Sequence, residues 1–157
     1  MRTIYLDYNA TTPLDARVRE AMQPAFEEAW GNPSSVHHVG QSARALLDEA
    51  RERVAATLKC KPSELIFTSG GSESTNLALL GMARQLRSQG RHIITSAVEH
   101  DAVLHPCEYL ANYDGFEVTF LPVDGVGRVS PDAVREAIRP DTVLVSIMAA
   151  NNELGTI

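Results

Sequence analysis

Cysteine is scarce in this chain. Its 157 residues contain two, Cys60 and Cys107, far apart and without paired spacing, so neither a disulfide framework nor a thiolate zinc site is indicated. Both read as free thiols in a reducing compartment. Five histidines are present, including the neighbours His37 and His38 and the pair His100 and His105. None follows His-Glu-x-x-His or another spacing that gathers ligands on one helix face, so no metal site is expected. Basic clusters are also lacking. Fourteen Lys and Arg stand against twenty Asp and Glu, a formal net charge of -6, which argues against nucleic acid as the main partner. No run is long and apolar enough to cross a membrane. The start Met1-Arg2-Thr3-Ile4-Tyr5-Leu6-Asp7 reaches an acid too soon for a secretory signal, so the expected location is the cytoplasm. There is no internal repeat and no low-complexity run.

What is present is an ordinary globular composition, 44% hydrophobic and 22% charged, arranged with two alternating periods. Ala43, Leu46, Leu47, Ala50, Val54 and Leu58 share one helical stripe, ended by Lys59-Cys60-Lys61-Pro62. Leu65-Ile66-Phe67-Thr68 reads as a strand, Glu73 to about Leu86 as a helix, and His92-Ile93-Ile94-Thr95-Ser96 as the next strand. A helix from about Ala102 to Tyr113 follows, then a strand over Phe116–Leu121. Ser130-Pro131-Asp132 starts another helix with a cap residue and a proline in the first turn. Thr142 to Met148 is the last strand and reads as buried on both faces. Such alternation predicts an α/β domain with a mainly parallel sheet over residues 41–157. Residues 1–40 differ: two turn-rich stretches, Leu6–Pro13 and Gly31-Asn32-Pro33-Ser34-Ser35, flank a helix of about Asp15 to Trp30.

Ligands of such sheets collect beyond the carboxyl ends of the strands. Three strand exits here are polar. At the first, Phe67-Thr68-Ser69-Gly70-Gly71-Ser72-Glu73-Ser74, a strand passes through two glycines into a helix start. Tight backbone approach, free N–H groups and the positive end of the helix dipole favour a phosphate there, and the hydroxyls of Ser69, Ser72 and Ser74 can add donors. The same residues also suit a plain N-capped helix. The second exit is Glu99-His100-Asp101 and the third Asn151-Asn152-Glu153. Polar residues at an exit often only cap the next helix, but the fold brings these three to one sheet edge.

In this order, Tyr5-Leu6-Asp7-Tyr8-Asn9-Ala10-Thr11-Thr12-Pro13, Gly31-Asn32-Pro33-Ser34-Ser35, the Phe67–Ser74 stretch, Glu99-His100 and Asn151-Asn152-Glu153-Leu154-Gly155 closely resemble the cysteine desulfurase family. These are pyridoxal-phosphate enzymes of the class V aminotransferase group. The resemblance runs along the whole chain. It implies a three-layer sheet domain of the fold-type I large-domain kind, with pyridoxal 5'-phosphate as cofactor. The phosphate would rest on Gly71 and on Ser72, which stands where threonine is often found. The imidazole of His100 would stack on the pyridine face and shuttle protons, and the amide of Asn152 would bond the phenolic oxygen. The implied reaction converts L-cysteine to L-alanine. Sulfur passes as an enzyme persulfide to an acceptor or scaffold protein of iron–sulfur cluster assembly or of thiolation pathways. A homodimer is implied, with no nucleic acid and no membrane partner.

Two groups that this chemistry requires are not found: a lysine in Ser-x-His-Lys context to hold the cofactor as a Schiff base, and a cysteine on a mobile loop. Only Lys59 and Lys61 occur. Cys107 lies in an expected helix and reads as a packing residue, and Cys60 as a solvated thiol between two lysines. The expectation is a truncated enzyme, inactive alone. A selenocysteine lyase, another class V enzyme, or a non-catalytic half of a split enzyme are the alternatives.

Overall fold

A computed structural model describes residues 3–157. They form two compact units that meet in sequence at Phe67 and Thr68.

In the first unit, helix α1 (Ala16–Glu27) starts at Asp15, whose carboxylate accepts the backbone N–H of Arg17 at 2.8 Å. This is the capping arrangement that a helix start with free N–H groups favours. Helix α2 (His38–Leu58) follows the Gly31–Ser35 turn. That turn closes on itself, with Asn32 Oδ1 accepting from Ser34 N at 2.9 Å and Asn32 O from Ser35 N at 3.0 Å. It also lies hard against the first turn of α2. A Cβ on Gly40 would sit 2.5 Å from the Ser35 carbonyl oxygen, so only glycine allows the approach. The stretch is a packed corner and not a free connector. At the other end of α2, Lys59 adopts a left-handed conformation, φ 56°, and Cys60 N donates to Ala55 O at 3.0 Å, as in a helix-closing turn.

A short 3-10 turn, Pro62–Glu64, comes next. The strand expected over Leu65–Thr68 is not formed. The segment is extended without a ladder, because a strand needs a second strand to take its N–H and C=O groups and no described strand lies alongside. Arg51 fills part of that gap. Its guanidinium donates to Leu65 O and lies 4.8 Å from the Phe67 ring centroid.

The second unit alternates helix α3 (Gly71–Gln85), strand β1 (His92–Ser96), helix α4 (Asp101–Tyr113), strand β2 (Glu117–Leu121), helix α5 (Pro131–Ala137) and strand β3 (Thr142–Ser146). The strands form one parallel sheet in the order β2-β1-β3. The connection from β1 to β2 and that from β2 to β3 run in opposite directions. Right-handed crossovers therefore put α4 and α5 on opposite faces, which gives the three layers. All five β1 side chains are buried. The core on the α3–α4 face joins Leu79 and Ala83 of α3, Ile93 of β1, Cys107 and Leu110 of α4, and Phe116. Contrary to expectation, β3 is not buried on both faces: Val145 is 42% exposed. It forms an edge of the described sheet, and its apolar pattern outruns the cover that the described elements give it.

At the amino ends of the strands, His92 is fully buried between two threonines. Nδ1 lies 2.7 Å from Thr142 Oγ1 on β3, and Nε2 lies 2.8 Å from Thr119 Oγ1 on β2. Burial, and secondarily the Arg139 charge, holds this imidazole below its ordinary 6.5. The folded protein thus resists a proton that the unfolded chain accepts. Stability is therefore full above about pH 6.5 and falls as the pH drops below it. In urea titrations the midpoint should decrease between pH 7 and 5, and His92→Gln should flatten that slope. An unchanged slope in the variant would refute the assignment.

Candidate functional site

The carboxyl ends of β1 and β3 and the start of α3 hold the three polar exits, all within the second unit. The sheet order makes this possible, since β1 and β3 are neighbours and their exits leave from one edge.

At α3, Gly70 is the cap residue and supplies no side chain, so the N–H groups of Gly71, Ser72 and Glu73 point out of the first turn. The first described intrahelical bond runs from Ser74 N to Gly70 O, 3.1 Å. No atom lies within 4 Å of a Cβ placed on Gly71, which leaves an open cradle in front of these donors. The three serines divide in a way that the sequence did not indicate. Ser69 directs both its N–H and its hydroxyl to Glu73 Oε2, each at 2.6 Å, which holds the Glu73 carboxyl below its ordinary range. Ser74 Oγ is taken by Gly70 O and Thr68 Oγ1. Only the Ser72 hydroxyl has no described partner. A cradle with aligned N–H groups, one free hydroxyl and a helix amino end fits a phosphate.

His100 follows β1 and caps α4, where Nδ1 accepts the N–H of Ala102 at 3.0 Å. That bond fixes the neutral ring in the tautomer carrying its proton on Nε2. It leaves Nε2 as the ring nitrogen free for proton transfer. His100 is exposed and lines three cavities, two of which also hold a further candidate residue. One, of about 670 Å3, extends along α3 and α4 and includes Ser72, Asn76 and His105. The other, of about 410 Å3, extends to Asn151, Asn152 and Glu153. Ser72 thus shares one cavity with His100, and Asn152 shares another.

Asn152 is exposed and its amide has no described intramolecular bond. Its neighbour is the opposite. Asn151 is 9% exposed, donates from Nδ2 to Val98 O at 3.1 Å, and accepts from Glu153 N and Leu154 N at 2.9 and 2.8 Å. The loop is buttressed by the turn at 124–128. Thr156 Oγ1 donates to Val126 O at 2.6 Å, and Gly127, at φ 80°, leaves room for Leu154 Cδ1 where a Cβ would sit 2.8 Å away. Glu99, 7% exposed, accepts from Ser96 Oγ at 3.0 Å and from Met148 N at 2.7 Å. Glu99 and Asn151 belong to the sequence motifs, but their bonds to Met148 and Val98 cannot be read there, because those partners lie about fifty residues away in the chain.

Among the described residues, no group of His, Cys, Asp and Glu could hold a metal. Among these residues no helix is long and apolar enough to cross a membrane. Cys107 is fully buried in the core, and its thiol is pushed up to about 11 by burial first and by the Glu99 and Glu108 charges second, as suits packing and not nucleophilic chemistry. Cys60 is half-buried.

A parallel sheet with polar residues at its strand exits is an α/β domain of the transferase kind. Residues 4–157 match the family described as Aminotransferase class-V, and the chain belongs to that family. It is similar to the cysteine desulfurase IscS of Dictyoglomus turgidum, 56% identical over 156 residues, covering 99% of this chain and 39% of that protein. It is also similar to the putative cysteine desulfurase IscS 1 of Bacillus subtilis, 52% identical over 157 residues, covering 100% and 41%. Among solved structures, a NifS-like protein superposes with a TM-score of 0.91 at 45% identity, covering 96% of this chain and 41% of that one. SspA in complex with cysteine gives 0.89 at 43%, covering 96% and 43%. The resemblance carried by the ordered motifs is borne out. The chain spans about two-fifths of the length of the curated relatives it matches.

Proposed function

We propose that this chain carries the cofactor cup of a pyridoxal-phosphate-dependent cysteine desulfurase. The observation that supports the reading is that His100 lines one cavity with Ser72 and another with Asn152. The N–H groups of Gly71 and Ser72 and the Ser72 hydroxyl would hold the phosphate. The flat His100 ring would lie on the pyridine face, and the Asn152 amide would donate to the phenolic oxygen. Bound there, the cofactor supplies an electron sink for the amino-acid carbon. Nε2 of His100 is the atom that holds or moves a proton, since Nδ1 is committed to Ala102.

The substrate is L-cysteine, as the names of the relatives and the cysteine complex of SspA support. Its C–S bond breaks, the carbon takes up a proton and leaves as L-alanine, and the sulfur joins a thiol of the enzyme as a persulfide for delivery to an acceptor or scaffold protein. A cytoplasmic homodimer is part of the same reading.

The 157 residues contain only Lys59 and Lys61, both in the connector after α2, and Cys107 is sealed in the core. By itself the chain is therefore proposed to be inactive. With pyridoxal phosphate and L-cysteine it should yield no more alanine than the free cofactor gives. A chimera joining it to the remainder of the Bacillus subtilis relative should produce alanine. Turnover by the chain alone would overturn its inactivity, and a folded, cofactor-loaded chimera without turnover would overturn the desulfurase reading.

A further inference from the structure

His100 and Asn152 are exposed, and each is preceded in the chain by a buried polar residue that reaches across to the other's loop. Glu99 leaves β1, yet its Oε1 accepts the N–H of Met148 on the exit of β3, 49 residues away. Asn151 leaves β3, yet its Nδ2 donates to Val98 O on the exit of β1, 53 residues away. In one tie the side chain comes from the β1 exit and in the other from the β3 exit, while both donors lie on the β3 side. One tie would leave the loops free to pivot about it, whereas two separated ties fix their relative orientation.

Directional bonds are needed at this point because the ladder has ended. The Met148 N–H and the Val98 carbonyl have lost their strand partners where the loops are still partly buried, and apolar side chains at 99 and 151 would leave both unpaired. Each tie also sits one residue from a side chain of the site. Other bonds of the same side chains make them stiff: Ser96 Oγ donates to Glu99 Oε1, and Asn151 Oδ1 accepts the two backbone N–H groups that follow Asn152.

We propose that Glu99 and Asn151 form a reciprocal staple that sets the His100 imidazole at a fixed position relative to the Asn152 amide. Both are positioning residues. Their role toward a cofactor ring rests on the function proposed above, while the staple itself does not.

The test is side-chain NMR on the full chain without cofactor, reading the His100 ring and the Asn152 NH2 group. Glu99→Met should move the Asn152 signals, and Asn151→Asp should move the His100 signals, each across to the other loop. Asn151→Asp keeps the acceptor for Glu153 and Leu154 and removes the Nδ2 donor to Val98 O and Met148 Sδ, so the loop retains its turn bonds. Glu99→Gln, which keeps an acceptor oxygen, should return both signals close to the wild type. Substitutions that move only the site residue next to them would overturn the staple. Should Glu99→Met fail to fold, the response of His100 to Asn151→Asp decides between the two outcomes. Cofactor affinity on the same samples separates the two ideas. Wild type without affinity for pyridoxal phosphate removes the cofactor reading and leaves the staple to be judged on the shifts. Wild type that binds, with Asn151→Asp about fivefold weaker, supports positioning; unchanged affinity overturns it.

Discussion

Leu110→Ala should destabilise the second unit by about 2–5 kcal/mol, the range for a buried leucine that leaves a cavity. Leu110 is fully buried and joins α4 to Leu79, Ala83, Ile93 and Phe116. Its carbonyl also ends the helix, accepting Asp114 N at 3.2 Å and Phe116 N at 3.1 Å. These backbone bonds hold the surroundings in place and restrict collapse onto the missing side chain, which favours the upper part of that range. Typical domains are stable by only about 5–15 kcal/mol, so the change is large on that scale. Val145→Ala is the comparison, since Val145 is 42% exposed on the edge strand and should cost under about 1 kcal/mol. Urea denaturation followed by circular dichroism measures both. Equal losses would mean that the α3–α4 face is not the principal core of this unit.

Ser72→Ala should weaken pyridoxal phosphate binding by roughly 10- to 100-fold, the equivalent of one hydrogen bond to a charged group, about 1.5–3 kcal/mol. The three serines of this turn are not equivalent. Ser69 is committed to Glu73 and Ser74 to Gly70 and Thr68, so the Ser72 hydroxyl is the side-chain donor left for a phosphate. Ser69→Ala should act differently, since it removes the hydroxyl bond to Glu73 and leaves the backbone N–H bond in place, with a smaller effect on affinity. Pyridoxal, which has no phosphate, should bind the Ser72→Ala protein as it binds the wild type. Equal weakening of both ligands would place the phosphate elsewhere.

The sequence is most legible where one element settles its own structure. His92–Ser96 has the ends that its pattern predicts, and α3, α4 and the Ser130 cap lie within two residues of expectation, because period and cap chemistry are local. Pairing is not local. Leu65–Thr68 has the apolar, β-branched character of a strand, yet period alone cannot supply the neighbour that would complete its ladder. The apolar run of β3 likewise signals burial without saying what covers it. At the site, the motif order singles out Gly71, Ser72, His100 and Asn152 as candidates. It cannot show that Nδ1 of His100 is spent on Ala102, or that Glu99 and Asn151 cross between loops about fifty residues apart. Those facts come from the juxtaposition of two neighbouring parallel strands, which no window of sequence contains.

Titration of the isotope-labelled protein with pyridoxal phosphate and, separately, with pyridoxal, followed by backbone and side-chain NMR signals, decides whether the cofactor cup exists. Pyridoxal phosphate should move the amides of Gly71, Ser72 and Glu73 together with the His100 ring and the Asn152 side chain, saturably and with one affinity. Pyridoxal should leave the three α3 amides in place. Shifts that avoid this set, or identical α3 responses to both ligands, would contradict the cofactor cup.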